Sequence, residues 1–212
     1  KSCSICGGSN EKGIFISLSD GMFIEFCSND HYMDWIEKNP PENTTDPSLT
    51  KFIQTIKAPD ETPNSGDLKE LEDINGCDDY RRTAIHWAAY SGSEGIIEEL
   101  LDAGADINSV DRNQWAALHY ASYFGHGDCV KVLLRAKADP LRTDRAGMQA
   151  IDLAGSEGYS QIVSKLIEAS YISNQEREEA LLSASTQGNL SLVEALVGAG
   201  INIDCANEAG WT

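Results

Sequence analysis

Ile85-His86-Trp87-Ala88-Ala89, Leu118-His119-Tyr120-Ala121-Ser122 and Ile151-Asp152-Leu153-Ala154-Gly155 are one pattern written three times, each copy 33 residues after the last. Gly92, Gly125 and Gly158 keep the same step, and so do Leu100, Leu133 and Leu166. A fixed period of this length predicts a stacked solenoid, in which each unit buries its apolar face only against its neighbours. Such stacks present extended surfaces. The expectation therefore moves from chemistry toward binding.

Within each unit the order reads hairpin tip, helix, short turn, helix. Apolar residues at helical spacing predict second helices over Ser93 to Asp102, Asp128 to Ala136 and Ser160 to Ala169. Gly104-Ala105-Asp106-Ile107-Asn108 closes the first unit, and Lys137-Ala138-Asp139-Pro140-Leu141 closes the second. A fourth unit is expected over about 178 to 206, offset by 30 residues rather than 33, with Tyr171 to Arg177 in place of the hairpin and a first helix that begins at Glu179. Asp67 to Asn75 reads as the degraded second half of an earlier unit.

Working outward to the N-terminus, Cys3-Ser4-Ile5-Cys6-Gly7-Gly8 reads as a tight turn bearing two thiolates. Gly13 to Leu18 and Met22 to Phe26 read as two strands joined at Ser19-Asp20-Gly21, since Asp-Gly between apolar runs is a hairpin signal. Ser28, Asn29 and Asp30 can cap a helix start, and Cys27 and His31 lie four apart on one helix face. Zinc takes four such ligands in a tetrahedron, so Cys3, Cys6, Cys27 and His31 would make a closed, structural site. Some forty residues with few large apolar side chains need a staple of this kind. A redox-active C-x-x-C is the competing reading, but the βαβ setting of such motifs is missing. Residues 39–66 form a connector. Loop residues flank a predicted amphipathic helix, Ser48 to Lys57, which is expected to cap the first repeat through Leu49, Phe52, Ile53 and Ile56.

Two resemblances follow. Cys3, Cys6, Gly7 and Phe26-Cys27-Ser28 resemble the treble-clef family of small zinc fingers. That family places a fourth cysteine three residues after the third, where this chain has Asp30, with His31 one later. Residues 67–212 are similar to the ankyrin repeat, whose pattern is Thr-Pro-Leu-His, two alanines, a Gly before the second helix, paired leucines and Gly-Ala-Asp. Thr83-Ala84-Ile85-His86 matches best; Ala116-Ala117-Leu118-His119 and Gln149-Ala150-Ile151-Asp152 depart progressively. None has the Pro that is preset for the first helical position, and the latter two lack the Thr that caps the helix, worth about 1 kcal/mol. The expected fold is thus mostly α. It is an ankyrin-repeat solenoid of about four units over 67–212, preceded by a small α+β treble-clef-like zinc finger over 1–38.

The ankyrin resemblance also implies roles. His86 and His119 would bond backbone between neighbouring units, and Trp87 and Tyr120 would pack between them. The hairpins and first helices would face a concave groove lined by Arg82, Tyr90, Ser91, Arg112, Trp115, Tyr123, Phe124, Arg145 and Met148. Tyr90, Trp115 and Tyr123 are expected to form an aromatic strip there, flanked by Arg82 and Arg112, because aromatics with Arg make interface hot spots.

Composition narrows the function classes. The 212 residues carry 16 basic and 34 acidic side chains, a formal charge of −18 and a pI of about 4.4. Nucleic-acid binding calls for a basic footprint, so a nucleic-acid reader is the least favoured reading, and a basic or amphipathic protein segment is the expected partner. No apolar run has the length of a membrane span. The six cysteines do not form a secreted disulfide framework, which points to a reducing cytoplasmic or nuclear compartment. No Ser-His-Asp or Cys-His pairing and no phosphate-binding Gly loop stands out. Cys129 falls on the buried side of a second helix, and no enzymatic activity is expected. The chain opens at Lys1 and closes on Gly210-Trp211-Thr212, which reads as the start of a further repeat; a piece of a longer protein is expected. The leading function is an interaction scaffold with a structural zinc, and the alternative is a regulatory or targeting region of a larger enzyme.

Overall fold

The computed structural model describes residues 14–17, 23–26, 47–57, 68, 71–170, 174–188, 190–198 and 201. Strands β1 (Ile14–Ser17) and β2 (Phe23–Phe26) pair antiparallel, with Ile14 opposite Phe26 and Ser17 opposite Phe23. The Asp-Gly turn signal thus joins two paired strands as expected, although the turn itself lies outside the described residues. So do Cys3, Cys6, Cys27 and His31.

Helix α1 (Pro47–Lys57) packs against α2 (Ala84–Ser91), the first helix of unit one. Its face of Leu49, Phe52 and Ile53 is buried in the core shared with the repeats. The Ser48 hydroxyl accepts the backbone N–H of Glu72 at 3.1 Å, a second tie to the array. A stacked array leaves its terminal unit with an apolar face bare, and α1 covers it.

Unit one continues with α3 (Glu94–Asp102); unit two comprises α4 (Ala117–Tyr123) and α5 (Gly127–Arg135); unit three comprises α6 (Ala150–Ser156) and α7 (Ser160–Ser170). The second helices fall within a residue of their sequence positions. First helices α2, α4 and α6 stack in series, and α3, α5 and α7 stack behind them. Each first helix is short and rich in alanine, and Ala88, Ala89, Ala117, Ala121, Ala150 and Ala154 are buried. Small side chains let neighbouring units approach closely, while Ile97, Leu100, Val130, Leu133, Val163 and Leu166 fill the layer between the two helix rows.

Each unit turns between its helices on a left-handed glycine: Gly92 (φ 74°), Gly125 (φ 78°) and Gly158 (φ 79°). At Gly92 a β-carbon would come within 2.7 Å of the His126 ring, and at Gly125 within 2.7 Å of the Tyr159 ring. The residue after one unit's glycine therefore lies over the glycine of the unit before.

Helices α8 (Asn174–Gln187) and α9 (Leu190–Gly198) follow. Here the sequence expectation is corrected. The first helix of unit four begins at Asn174, not Glu179, because the run from Asn174 through Glu179 holds no glycine or proline and Gln, Glu and Arg favour helix. The stacking changes too: α9 packs on α7, as second helices do at the earlier junctions, and also on the first helix α6.

Candidate functional site

The candidate surface is the row of hairpin tips with the first helices behind it. Three aspartates 33 residues apart build that row. Asp78 Oδ1 accepts the backbone N–H of Tyr80 (2.8 Å) and Arg82 (2.9 Å); Asp111 Oδ1 accepts those of Asn113 and Trp115 (2.8 Å each); Asp144 Oδ1 accepts those of Ala146 and Met148 (2.8 Å each). A carboxylate that takes two backbone donors fixes a turn. The sequence reading missed these residues, although their spacing is the repeat period itself. The tips then join in a chain. Arg112 donates its backbone N–H to the Tyr80 carbonyl at 2.9 Å, and Arg145 to the Asn113 carbonyl at 3.1 Å.

Each tip also needs a left-handed residue. Arg81 (φ 62°) and Gln114 (φ 65°) hold that position in units one and two, and Gly147 (φ 83°) holds it in unit three. Only glycine adopts this conformation without steric cost, so the first two tips carry strain that the Asp cages hold in place.

The second carboxylate oxygens tie the tips to side chains. Asp78 Oδ2 accepts Arg82 Nε at 2.7 Å, Asp111 Oδ2 accepts the Tyr120 hydroxyl at 2.8 Å, and Asp144 Oδ2 accepts Trp115 Nε1 at 3.0 Å. This geometry corrects two groove assignments. Arg82 is buried, with its guanidinium 4.3 Å from the Trp87 ring and 4.7 Å from that of Tyr80. Trp115 is wholly buried against Tyr120 and Tyr123, and its indole bond reaches forward into unit three. Both fold down because a buried acceptor waits beneath them, so neither faces a partner. Trp115 is a junction residue, not the centre of an exposed strip.

Of the other groove candidates, Arg145 is exposed, while Tyr90, Ser91, Arg112, Tyr123, Phe124 and Met148 are half-buried. The structure brings three of them together. Tyr90 meets Phe124 edge to face at 4.7 Å between centroids, and Phe124 meets Tyr123 at 5.1 Å. Phe124, weighted less than Trp115 in the sequence reading, bridges unit one to unit two. Trp87 and Tyr120 are buried between units, as the resemblance implies.

The histidines work in the framework. His86 Nδ1 lies 3.0 Å from the Thr83 backbone N–H, and His119 Nδ1 lies 3.2 Å from that of Ala116. A backbone N–H can only donate, so Nδ1 accepts and Nε2 carries the proton. Nε2 of His86 donates to the carbonyls of Ser109 and Trp115 (3.1 Å each), and that of His119 to the Arg142 carbonyl (3.1 Å), in each case on the next unit's hairpin. Burial pushes both pKa values from 6.5 down to about 4, so both rings are neutral. Asp152 takes the third such position and accepts the Gln149 N–H at 2.9 Å. It has no proton to send forward at neutral pH, and burial raises its pKa. His126 Nε2 bonds the Tyr90 carbonyl at 2.9 Å across the first junction. Cys129 is buried and its thiol is pushed up to about 12 by burial, so it supplies no thiolate.

Among the described residues no helix is long and apolar enough to cross a membrane. No curated protein matches the chain. Residues 64–144 match the family model described as Ankyrin repeats (3 copies), a stretch that takes in units one and two and ends on the tip aspartate of unit three. With the chained tips, the cross-unit histidines and the left-handed glycines, residues 64–144 are an array of ankyrin repeats.

Proposed function

We propose that this chain is a non-catalytic interaction module that binds a protein segment along its hairpin tips and first helices, with a structural zinc finger at its N-terminus. Ankyrin repeats generally mediate protein–protein interaction. The observation that carries the reading is the Tyr90–Phe124–Tyr123 cluster. Three aromatic side chains from two units meet edge to face at the end of the first helices, and each keeps part of its surface open. Half-exposed aromatics already held in one geometry lose little entropy when a partner covers them. Met148 and Ser91 extend the surface to either side. Exposed Cys77 bears a free thiol, which fits a reducing compartment.

A photo-crosslinking residue at Ser91, beside the cluster, tests the reading against one at Glu98 on an outer helix. Adducts with protein should form from Ser91 and disappear when Tyr90 and Phe124 become Ala. Adducts from Glu98 alone would reject it.

For the zinc, the support is the β1–β2 register. Ile14 pairs with Phe26 at the open end of the hairpin, where the Cys3–Cys6 segment leads into β1 and Cys27 follows β2 in sequence. That order suits a knuckle and a following segment that share one tetrahedral ion. Cys3, Cys6, Cys27 and His31 would hold it. Purified chain should carry close to one zinc per molecule, and His31→Ala should release it far more readily than Asp30→Ala. Protein purified without zinc, or equal release by the two variants, removes this half of the proposal.

A further inference from the structure

Five of the chain's seven arginines, Arg81, Arg82, Arg112, Arg142 and Arg145, lie in the three hairpins, and none of its nine lysines does. In a chain of net charge −18 this is a segregation. Arg82 is spent internally on Asp78. Arg81 and Arg145 are exposed, and Arg112 and Arg142 are half-buried. Among the described residues Arg81, Arg112 and Arg142 form no ion pair, and Arg142 Nε has no hydrogen-bond partner.

The neighbouring acids do not cancel this charge at the surface. Asp78, Asp111 and Asp144 are buried, with both oxygens turned inward to tip amides, Arg82, Tyr120 and Trp115. Half-buried Asp79 remains at the tips, and exposed Asp106 and Asp139 lie where the chain enters the hairpins, each accepting a backbone N–H of its own loop, from Asn108 and Leu141. The outer helices run the other way. Helix α3 carries exposed Glu94, Glu98 and Asp102 and no cation. The tip edge is therefore positive and the outer side of unit one negative.

From this charge complementarity we infer that the tip edge receives an extended acidic segment of a protein partner, whose apolar side chains rest on Tyr90, Tyr123 and Phe124. The inference rests on the interaction reading above and names the partner's chemistry. It reverses the basic partner that net charge alone implies. Arg112 and Arg145 hold equivalent places in adjacent units, and packed helices stand roughly 10 Å apart. A polyproline-II-like extended chain advances about 3.1 Å per residue and repeats its face every three residues, so carboxylates three residues apart would meet both guanidiniums. Arginine's fork suits carboxylates better than a lysine would. A nucleic acid is disfavoured, because its dense phosphates would meet the field of the whole chain and not the tips alone.

Random dodecapeptides displayed on phage and selected on the full chain test this. Enrichment should favour net-negative peptides that also carry an aromatic or aliphatic residue. Paired Arg112→Gln and Arg145→Gln should weaken them by about tenfold, as should high salt, while Arg135→Gln on an outer helix changes little. Neutral or basic winners that still require Tyr90 and Phe124 overturn the acidic partner and leave the interaction surface standing. Winners indifferent to all four residues, or no winners, overturn both. Displacement of the peptide by a single-stranded RNA oligomer, lost with the arginines, would reassign the edge to nucleic acid.

Discussion

The junctions between units one, two and three differ in kind from the junction between units three and four. At the first two, a hairpin tip bonds the tip before it, a neutral histidine reaches forward, and the second oxygens of Asp111 and Asp144 hold side chains, Asp144 from the unit before. At the third, unit four opens on helix α8 at Asn174, Asp152 replaces the histidine, and α9 packs on α6 and α7. The two changes explain each other. A histidine serves two neighbours because it accepts at one nitrogen and donates at the other. Where a helix replaces the hairpin carbonyl, only the acceptor is needed, and a carboxylate suffices.

Acid should separate the two kinds of junction most. Folded His86 and His119 have pKa values below their unfolded value, so the native state binds fewer protons. The stability they contribute is present above pH 6.5 and is lost as pH falls toward 4. At pH 5 the loss should reach about 2 kcal/mol for each. The raised pKa of Asp152 acts in the opposite sense at lower pH. Urea unfolding followed by tryptophan fluorescence at pH 7 and pH 5 measures this, and an unmoved midpoint would show that the rings are not locked neutral.

Trp115→Ala comes next, at about 3–5 kcal/mol of stability. The ring is fully buried, and its indole N–H is, beside His119 Nε2–H, a donor that unit three receives from unit two. A loss below about 1 kcal/mol would mean that the second junction does not depend on it.

The smallest contrast is the sharpest. His119→Asp should cost about 2 kcal/mol, because it strips the Arg142 carbonyl of its donor and leaves a poorly paired charge. Asp152→His should change stability by less than about 0.5 kcal/mol, since no hairpin tip follows to receive its proton. Equal effects at the two positions would erase the distinction between the junctions.

The regular junctions were legible in the sequence because each depends on residues that recur at one period: the glycine turns, the histidines, the buried alanines and the paired leucines. The α1 cap was legible from the spacing of Leu49, Phe52 and Ile53. The face of the stack was not. Arg82 and Trp115 occupy positions that look outward in a repeat pattern, yet each turns inward to a carboxylate whose burial no spacing reveals. The aspartates that draw them in were in plain sight, but an acidic residue at a turn reads as solvated until the amides around it are placed. Net charge is silent on placement for a related reason. It counts buried Asp78, Asp111 and Asp144 equally with the arginines that stand at the surface.

The rings of His126 and Tyr159, lying over Gly92 and Gly125, bear on how such a chain can be copied. The glycine belongs to one unit and the ring that forbids a side chain there belongs to the next. A unit lifted out and inserted elsewhere takes its glycine with it but leaves behind the ring that packed on it. Duplication of a neighbouring pair keeps the match, whereas exchange of single units breaks it on both sides. The smallest heritable module in this array is thus not the 33-residue unit but the seam between two of them.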